Sequence, residues 1–367
     1  MKTTNAPNER IKRVYFAYMK EARRYSEQSI DAVAKALNRF ENYTRFKDFK
    51  TFHPQQAIGF KSHLAAQVND RTKEVLSKAT LYSTLTALKG FFLWLAGQPG
   101  YKSKLTYSDG EYFNLGRGDT AIAKAHREQS VPTIEQIRHV ISTMPIGTDI
   151  ERRNRALIAF VLLTGARDGA IASMKLKHVD LIEGKVEQDA REVKTKFRKT
   201  FATYFFPVGD DIRQIVTDWV NYLRGEKLWG LDDPLFPATR VAVGASRHFE
   251  AVGLDRKGWS SASPICAIFK DAFTAAGLPY FNPHRFRKTL GQFGERTCQT
   301  PEAFKAWSQN LGHESVLTTF SSYGQVATPR QAELIRQLGK PKGEAPDTRA
   351  LERRLAMLEQ RLPIGCE

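Results

Sequence analysis

Residues 282–323 open NPHRFRKTLGQF and close LGHESVLTTFSSY, and no other stretch of this chain is so dense in side chains that can do chemistry. Asn282 can cap a helix and Pro283 suits its first turn, so His284 and Arg287, three residues apart, project from one face near the helix start. Such an end presents unpaired N–H groups and a partial positive charge, which suits an anion. Thr300 followed by Pro301 begins a second short helix that Gly312 can end in a left-handed cap, with His313 next and Tyr323 ten residues further on. A phenol has a pKa of about 10, so at neutral pH it attacks nothing without a base or a strongly cationic surrounding. Upstream, VLLTGARDGAIASMKL breaks an apolar run at Thr164 and Gly165 and sets Arg167 at the turn, where Asp168 is expected to cap the helix that follows. Taken singly, each of these residues has a plainer role: His313 as a cap, Tyr323 as a half-buried ring, HxxR as a chance pairing.

In chain order the pieces are TGAR at 164–167, KTK at 194–196, HRFR at 284–287, LGH at 311–313 and then Tyr323. This ordered set resembles the tyrosine recombinase, or phage integrase, family over roughly residues 130–335. The resemblance implies that Arg167 and Arg287 grip the nonbridging oxygens of a scissile DNA phosphate and that Tyr323 is the nucleophile. It further implies that His284 accepts and returns a proton, that His313 donates a hydrogen bond to the phosphate, and that Lys194 protonates the departing 5′ hydroxyl. Lys196 and Lys199 crowd the same hairpin, so spacing alone leaves Lys194 and Lys196 both open as the acid. Family members usually place the tyrosine nine residues after the LGH histidine; here Ser321 and Ser322 both precede it and the interval is ten.

Independent chemistry supports these roles. A phosphodiester in transit gathers negative charge, and two always-charged planar guanidiniums can stabilise it bidentately without clustered carboxylates or a metal. Bond energy held in a 3′-phosphotyrosine makes ATP and a divalent cation chemically unnecessary, and the expected cofactor list is empty; the sequence has no P-loop pattern.

These side chains need elements to hold them. The 367 residues exceed what one core usually organises, and 41% hydrophobic content supports two. The expected fold is mainly α with a small antiparallel β-sheet. By resemblance it is a helical core-binding (SAM-like) domain over 1–114, a linker over 115–130, an α+β tyrosine-recombinase catalytic domain over 131–340, and a tail helix over 341–367. Ile30, Val33, Leu37 and Phe40 repeat at helical spacing, as do Leu81, Leu85, Leu88, Phe92 and Leu95 before Gly97. Thr133 and Gln136 form a capping-box pair, and residues 179–208 alternate and turn like a small sheet. Residues 241–263 carry no assignable pattern. After Tyr323 a helix is expected over 329–338, and Leu351, Leu355, Leu358 and Leu362 then form a narrow seam, too short for a coiled coil alone.

A net charge of +17 creates a field that attracts a polyanion, which makes nucleic acid the expected partner. Lys61, Lys73, Lys78 and Lys89, on polar faces of the first domain, are candidates for phosphate contact. The longest apolar run, Ala156–Leu163, is too short to cross a bilayer, and no membrane partner is expected. Cys266, Cys298 and Cys366 are widely spaced, consistent with a reducing compartment and no structural zinc. The resemblance implies double-stranded recombination sites, a tetramer of the chain on paired sites, and accessory DNA-bending proteins as partners. Location is expected to be cytoplasmic and nucleoid-associated in a prokaryote. A type IB topoisomerase-like relaxing activity and a catalytically silent DNA-binding regulator remain the alternatives.

Overall fold

A computed structural model describes residues 4–69, 73–125, 130–243 and 247–313, and the chain divides between residues 127 and 128 into two units. The first holds helices α1 (Ala6–Ala17), α2 (Glu27–Thr44), α3 (Pro54–Ala66), α4 (Lys78–Leu95), α5 (Tyr107–Glu111) and α6 (Arg117–Lys124). Ser77 starts α4 by accepting the Thr80 N–H at 3.2 Å. Leu81, Leu85, Leu88, Phe92 and Leu95 then recur in steps of three and four, so all five fall on its buried stripe. Phe40 of α2 meets Phe60, Phe92 and Phe113 edge-on at 5.2, 5.6 and 5.5 Å. Each such fully buried ring stabilises the unit by about 1.5–3 kcal/mol. Glu41 is also fully buried, and takes the Lys12 ammonium at 2.6 Å and the Asn8 amide at 3.1 Å, tying α1 to α2. Residues 115–130 include α6, held to α4 by Lys78–Asp119 at 3.0 Å and by Lys124 over the Tyr82 ring.

The second unit runs α7 (Ile134–Thr143), α8 (Asp149–Thr164), α9 (Asp168–Ile171), strands β1 (Val179–Asp180), β2 (Lys185–Gln188) and β3 (Phe201–Tyr204), then α10 (Asp210–Asn221), β4 (Thr239–Val243), β5 (Phe249–Leu254), α11 (Ser263–Ala275), α12 (Pro283–Thr297) and α13 (Pro301–Asn310). Helix α8 is the central element: every residue from Ala156 to Thr164 is buried, as expected of a helix apolar on all sides. Strands β1, β2 and β3 form an antiparallel sheet in that order, Val186 opposite both Val179 and Thr203. Strands β4 and β5 form a separate antiparallel hairpin within the passage that had no assignable pattern. Its base is held from α8, where the buried Arg153 donates to the Pro237 carbonyl at 2.9 Å and Thr239 Oγ1 at 3.0 Å. Tyr323, residues 329–338 and the segment 341–367 lie outside the described residues.

Candidate active site

Arg167 owes its place to the end of α8. Gly165 takes φ +60°, and a Cβ there would lie 3.0 Å from both Leu290 and Leu311, so conformation and packing both demand glycine. The chain therefore turns out of the core, and Arg167 becomes the N-cap of α9, half-buried and extended. Asp168, expected as the cap, is instead the first helical residue, its carboxylate accepting the Gly169 N–H at 2.8 Å. The backbone leaves the core one residue earlier than the residue types suggest.

Helix α12 starts as anticipated: Asn282 caps it by accepting the Arg285 N–H at 3.2 Å, with Pro283 in the first turn. His284 keeps an exposed ring at this end, while Arg287, one turn on, is buried. Its guanidinium donates to the Gly165 and Leu311 carbonyls and lies 3.3 Å from His313 Nε2. One side chain thus staples the α8–α9 turn to the end of α13.

His313 follows α13, which Thr300 caps and Gly312 ends at φ +71°. The end of α13 is set by a clamp that the sequence did not announce. Asn310 accepts the Tyr204 N–H at 2.7 Å and donates to the Tyr204 carbonyl at 2.8 Å, behaving as an extra strand position on β3. The Thr203 hydroxyl adds a bond of 3.1 Å to the Asn310 carbonyl. An asparagine directly before LGH was the available signal, legible only with β3 in view.

Withdrawal from water, then Arg287, Arg167, His284 and Lys196, push His313 down to about 4. It is therefore neutral at pH 7. Since a guanidinium has no acceptor, a hydrogen bond to Nε2 requires the proton on Nδ1. His284, though exposed at the surface, is lowered too, by protein crowding out part of its water and then by Arg287, Lys288, Arg167 and Arg285. Arg167, Arg287, His284 and His313 thus share one electrostatic neighbourhood.

The lysine loop joins β2 to β3. Lys194 is exposed, its backbone N–H bound to Ser173 Oγ at 2.9 Å. Lys196 begins a 3-10 turn, and its charge reaches His313. Lys199, Thr200, Phe201, Gln309, Gly312 and His313 line an open groove of about 300 Å³ beside the site. Among the described residues no three His, Cys, Asp or Glu side chains gather as a metal site. In the first unit Lys61, Lys78 and Lys89 all contact acceptors of their own unit, Asn114, Asp119 and Glu111. The ion pairs Lys78–Asp119 and Lys89–Glu111, partly open to water, are each worth under about 1 kcal/mol.

A family model described as the phage integrase family matches residues 131–330, and one described as the phage integrase N-terminal SAM-like domain matches 13–98. The chain belongs to the phage integrase family, whose catalytic model spans more than half of it. It is an enzyme of the tyrosine-recombinase type, built for site-specific cleavage and religation of DNA. The tyrosine recombinase XerC of Lactobacillus leichmannii is 22% identical over 308 residues, covering 83% of this chain and 90% of that one. Among solved structures, XerH recombinase bound to palindromic difH substrate in a post-cleavage complex aligns with TM-score 0.59 at 18% identity, over 88% of this chain and 83% of that one. A lambda integrase tetramer bound to a Holliday junction aligns with TM-score 0.55 at 14% identity, over 87% and 79%. These two similarities concern the fold. No helix among the described residues is long and apolar enough to cross a membrane.

Proposed function

We propose that Tyr323 attacks a DNA phosphate held by Arg167 and Arg287, forming a 3′-phosphotyrosine and releasing a 5′ hydroxyl, and that a partner strand's hydroxyl reverses the step. His284 takes the phenolic proton and later returns it, His313 hydrogen-bonds a phosphate oxygen through its protonated nitrogen, and Lys194 protonates the leaving oxygen. The single observation that supports this reading is the meeting of Arg167, Arg287, His284 and His313 from three separate elements, with both imidazoles driven neutral by their surroundings. A neutral His284 can accept a proton at pH 7 and a protonated one cannot. Lys196 is the second reading for the acid, favoured by its field at His313.

Two rounds of strand exchange require four active sites, so the working form is a tetramer on paired double-stranded sites, passing through a Holliday junction. The charge of +17 supplies the attraction to DNA. Accessory DNA-bending proteins and a cytoplasmic, nucleoid-associated location in a prokaryote belong to the same proposal. A nicked suicide duplex tests it. A covalent protein–DNA adduct is expected with the native chain, with or without EDTA, and none with Tyr323→Phe. DNA binding with no adduct from the native chain would leave the silent-regulator alternative standing in its place.

A further inference from the structure

We infer that Ser173, backed by Glu192, is a positioning residue that fixes the lysine loop relative to the Arg167 turn; this rests on the reading of a loop lysine as the general acid. The Ser173 hydroxyl donates to the Ala170 carbonyl at 3.0 Å and accepts the Lys194 N–H at 2.9 Å. Ala170 belongs to α9, the short turn that Arg167 caps, and the Arg167 carbonyl accepts the Ile171 N–H at 3.0 Å. One hydroxyl therefore couples the segment carrying a phosphate-gripping guanidinium to the backbone of the residue carrying the acid. Ser173 itself has no assigned contact with phosphate or leaving group, and acts through Lys194.

A second anchor lies two residues earlier in the loop. Glu192 takes the Lys177 ammonium at 2.7 Å and lies 3.3 Å from His178 Nε2. His178 is buried, and its Nδ1 accepts the Lys175 N–H at 2.9 Å, which puts the ring proton on Nε2 where it can donate to Glu192. Between the anchors Val193 is buried, its N–H on the Asp189 carbonyl at 2.7 Å. Beyond Lys194 the loop turns outward: Lys196, Phe197 and Arg198 are exposed, Phe197 by 79%. The stem of the loop is thus pinned at 192, 193 and 194, and the tip is not packed.

General acids need placement to a fraction of an ångström, and a 1 Å error can cost about a hundredfold in rate. Removing the Ser173 hydroxyl leaves the Lys194 amide without that acceptor and frees the stem. Ser173→Ala is expected to slow cleavage of an ordinary suicide duplex about tenfold, the weight of a single hydrogen bond. DNA affinity should stay within about twofold, because phosphate contacts elsewhere dominate it.

The readout that separates positioning from general damage is the leaving group. On a duplex whose scissile 5′ oxygen is replaced by sulfur, the thiolate departs without a proton, and Ser173→Ala should cleave at the native rate. Glu192→Gln should show a smaller loss on oxygen, also repaired by sulfur, and Ser173→Thr, which keeps the hydroxyl, should stay near native. Equal slowing on both duplexes, or no slowing on oxygen, overturns the inference. Lys194→Ala and Lys196→Ala measured alongside keep the two ideas apart. If sulfur rescues neither lysine variant, the lysine reading fails. Hydrogen exchange at the Lys194 amide then judges the anchor by itself, with faster exchange in Ser173→Ala upholding it and unchanged exchange refuting it.

Discussion

Glu41 in the N-terminal unit is fully buried and is answered on the spot by Lys12 and Asn8. In the second unit the groups that weigh most on His313 are Arg287, Arg167, His284 and Lys196, all cationic or imidazole, with no carboxylate among them. The first arrangement pairs a buried carboxylate with an ammonium, whereas the second gathers positive charge around one imidazole. A paired buried charge holds a fold together, whereas clustered positive charge favours an incoming anion. On the proposed function, the difference separates charge that builds this molecule from charge that works.

The comparison breaks first at Arg167. Arg167→Ala should lower the rate of adduct formation by about a hundred- to a thousandfold, the usual loss on deleting one donor to a developing oxyanion, with duplex affinity nearly unchanged in gel shift. A matched fall in binding and cleavage would mean that Arg167 merely holds DNA. Glu41→Ala should do the reverse. It leaves the Lys12 ammonium to Glu9 and takes away one of the two acceptors of the Asn8 amide, and unfolding of the first unit in denaturant should become easier by about 1–3 kcal/mol. Adduct chemistry on DNA already bound should keep its rate.

Acid and alkali sharpen the contrast. His313 lies at about 4 in the fold against about 6.5 unfolded, so the unfolded chain binds more protons between those values. That contribution to stability is present above pH 6.5 and is lost as pH falls toward 4. Burial lowers the Lys12 ammonium, but the hydrogen bonds to Glu41 and Glu9 outweigh it and the net shift is upward. Its contribution is therefore complete below the ordinary lysine value of 10.5 and is lost as pH rises through the folded one. Thermal unfolding followed from pH 7 to 5 and from 9 to 11 should show acid softening the second unit and alkali the first. The smallest effect belongs to Asn310→Ala, which should cost about 1–2 kcal/mol by unpairing both Tyr204 backbone groups. Heat-induced loss of adduct activity at a lower temperature than in the native chain would report it.

What was legible from the residues alone was whatever depends on near neighbours. The caps at Asn282 and Thr300, the left-handed end at Gly312, the α4 stripe and the three short strands all follow from spacing within a few positions. The exit at Arg167 rather than Asp168 depends on how closely Gly165 packs against Leu290 and Leu311, more than a hundred residues away in sequence. Asn310 and Ser173 were missed for the same reason. Each acts on a backbone far along the chain, Tyr204 and Lys194, and an isolated Asn or Ser carries no sign of its partner. The β4–β5 hairpin escaped because its side chains are mostly exposed on both faces, which erases the in-and-out alternation that normally betrays a strand.

Arg287 is fastened by two carbonyls that are neighbours in space but far apart in sequence, Gly165 and Leu311, and this has a cost in freedom. A lysine at that position, with a single point of charge on a limber stem, could not span both acceptors, so even a change that preserves sign would loosen the junction. In the proposed role, a guanidinium held so firmly cannot lean toward an ill-seated phosphate. On that proposal tolerance for misalignment is low by construction, and stiffness itself discriminates against a wrongly placed backbone.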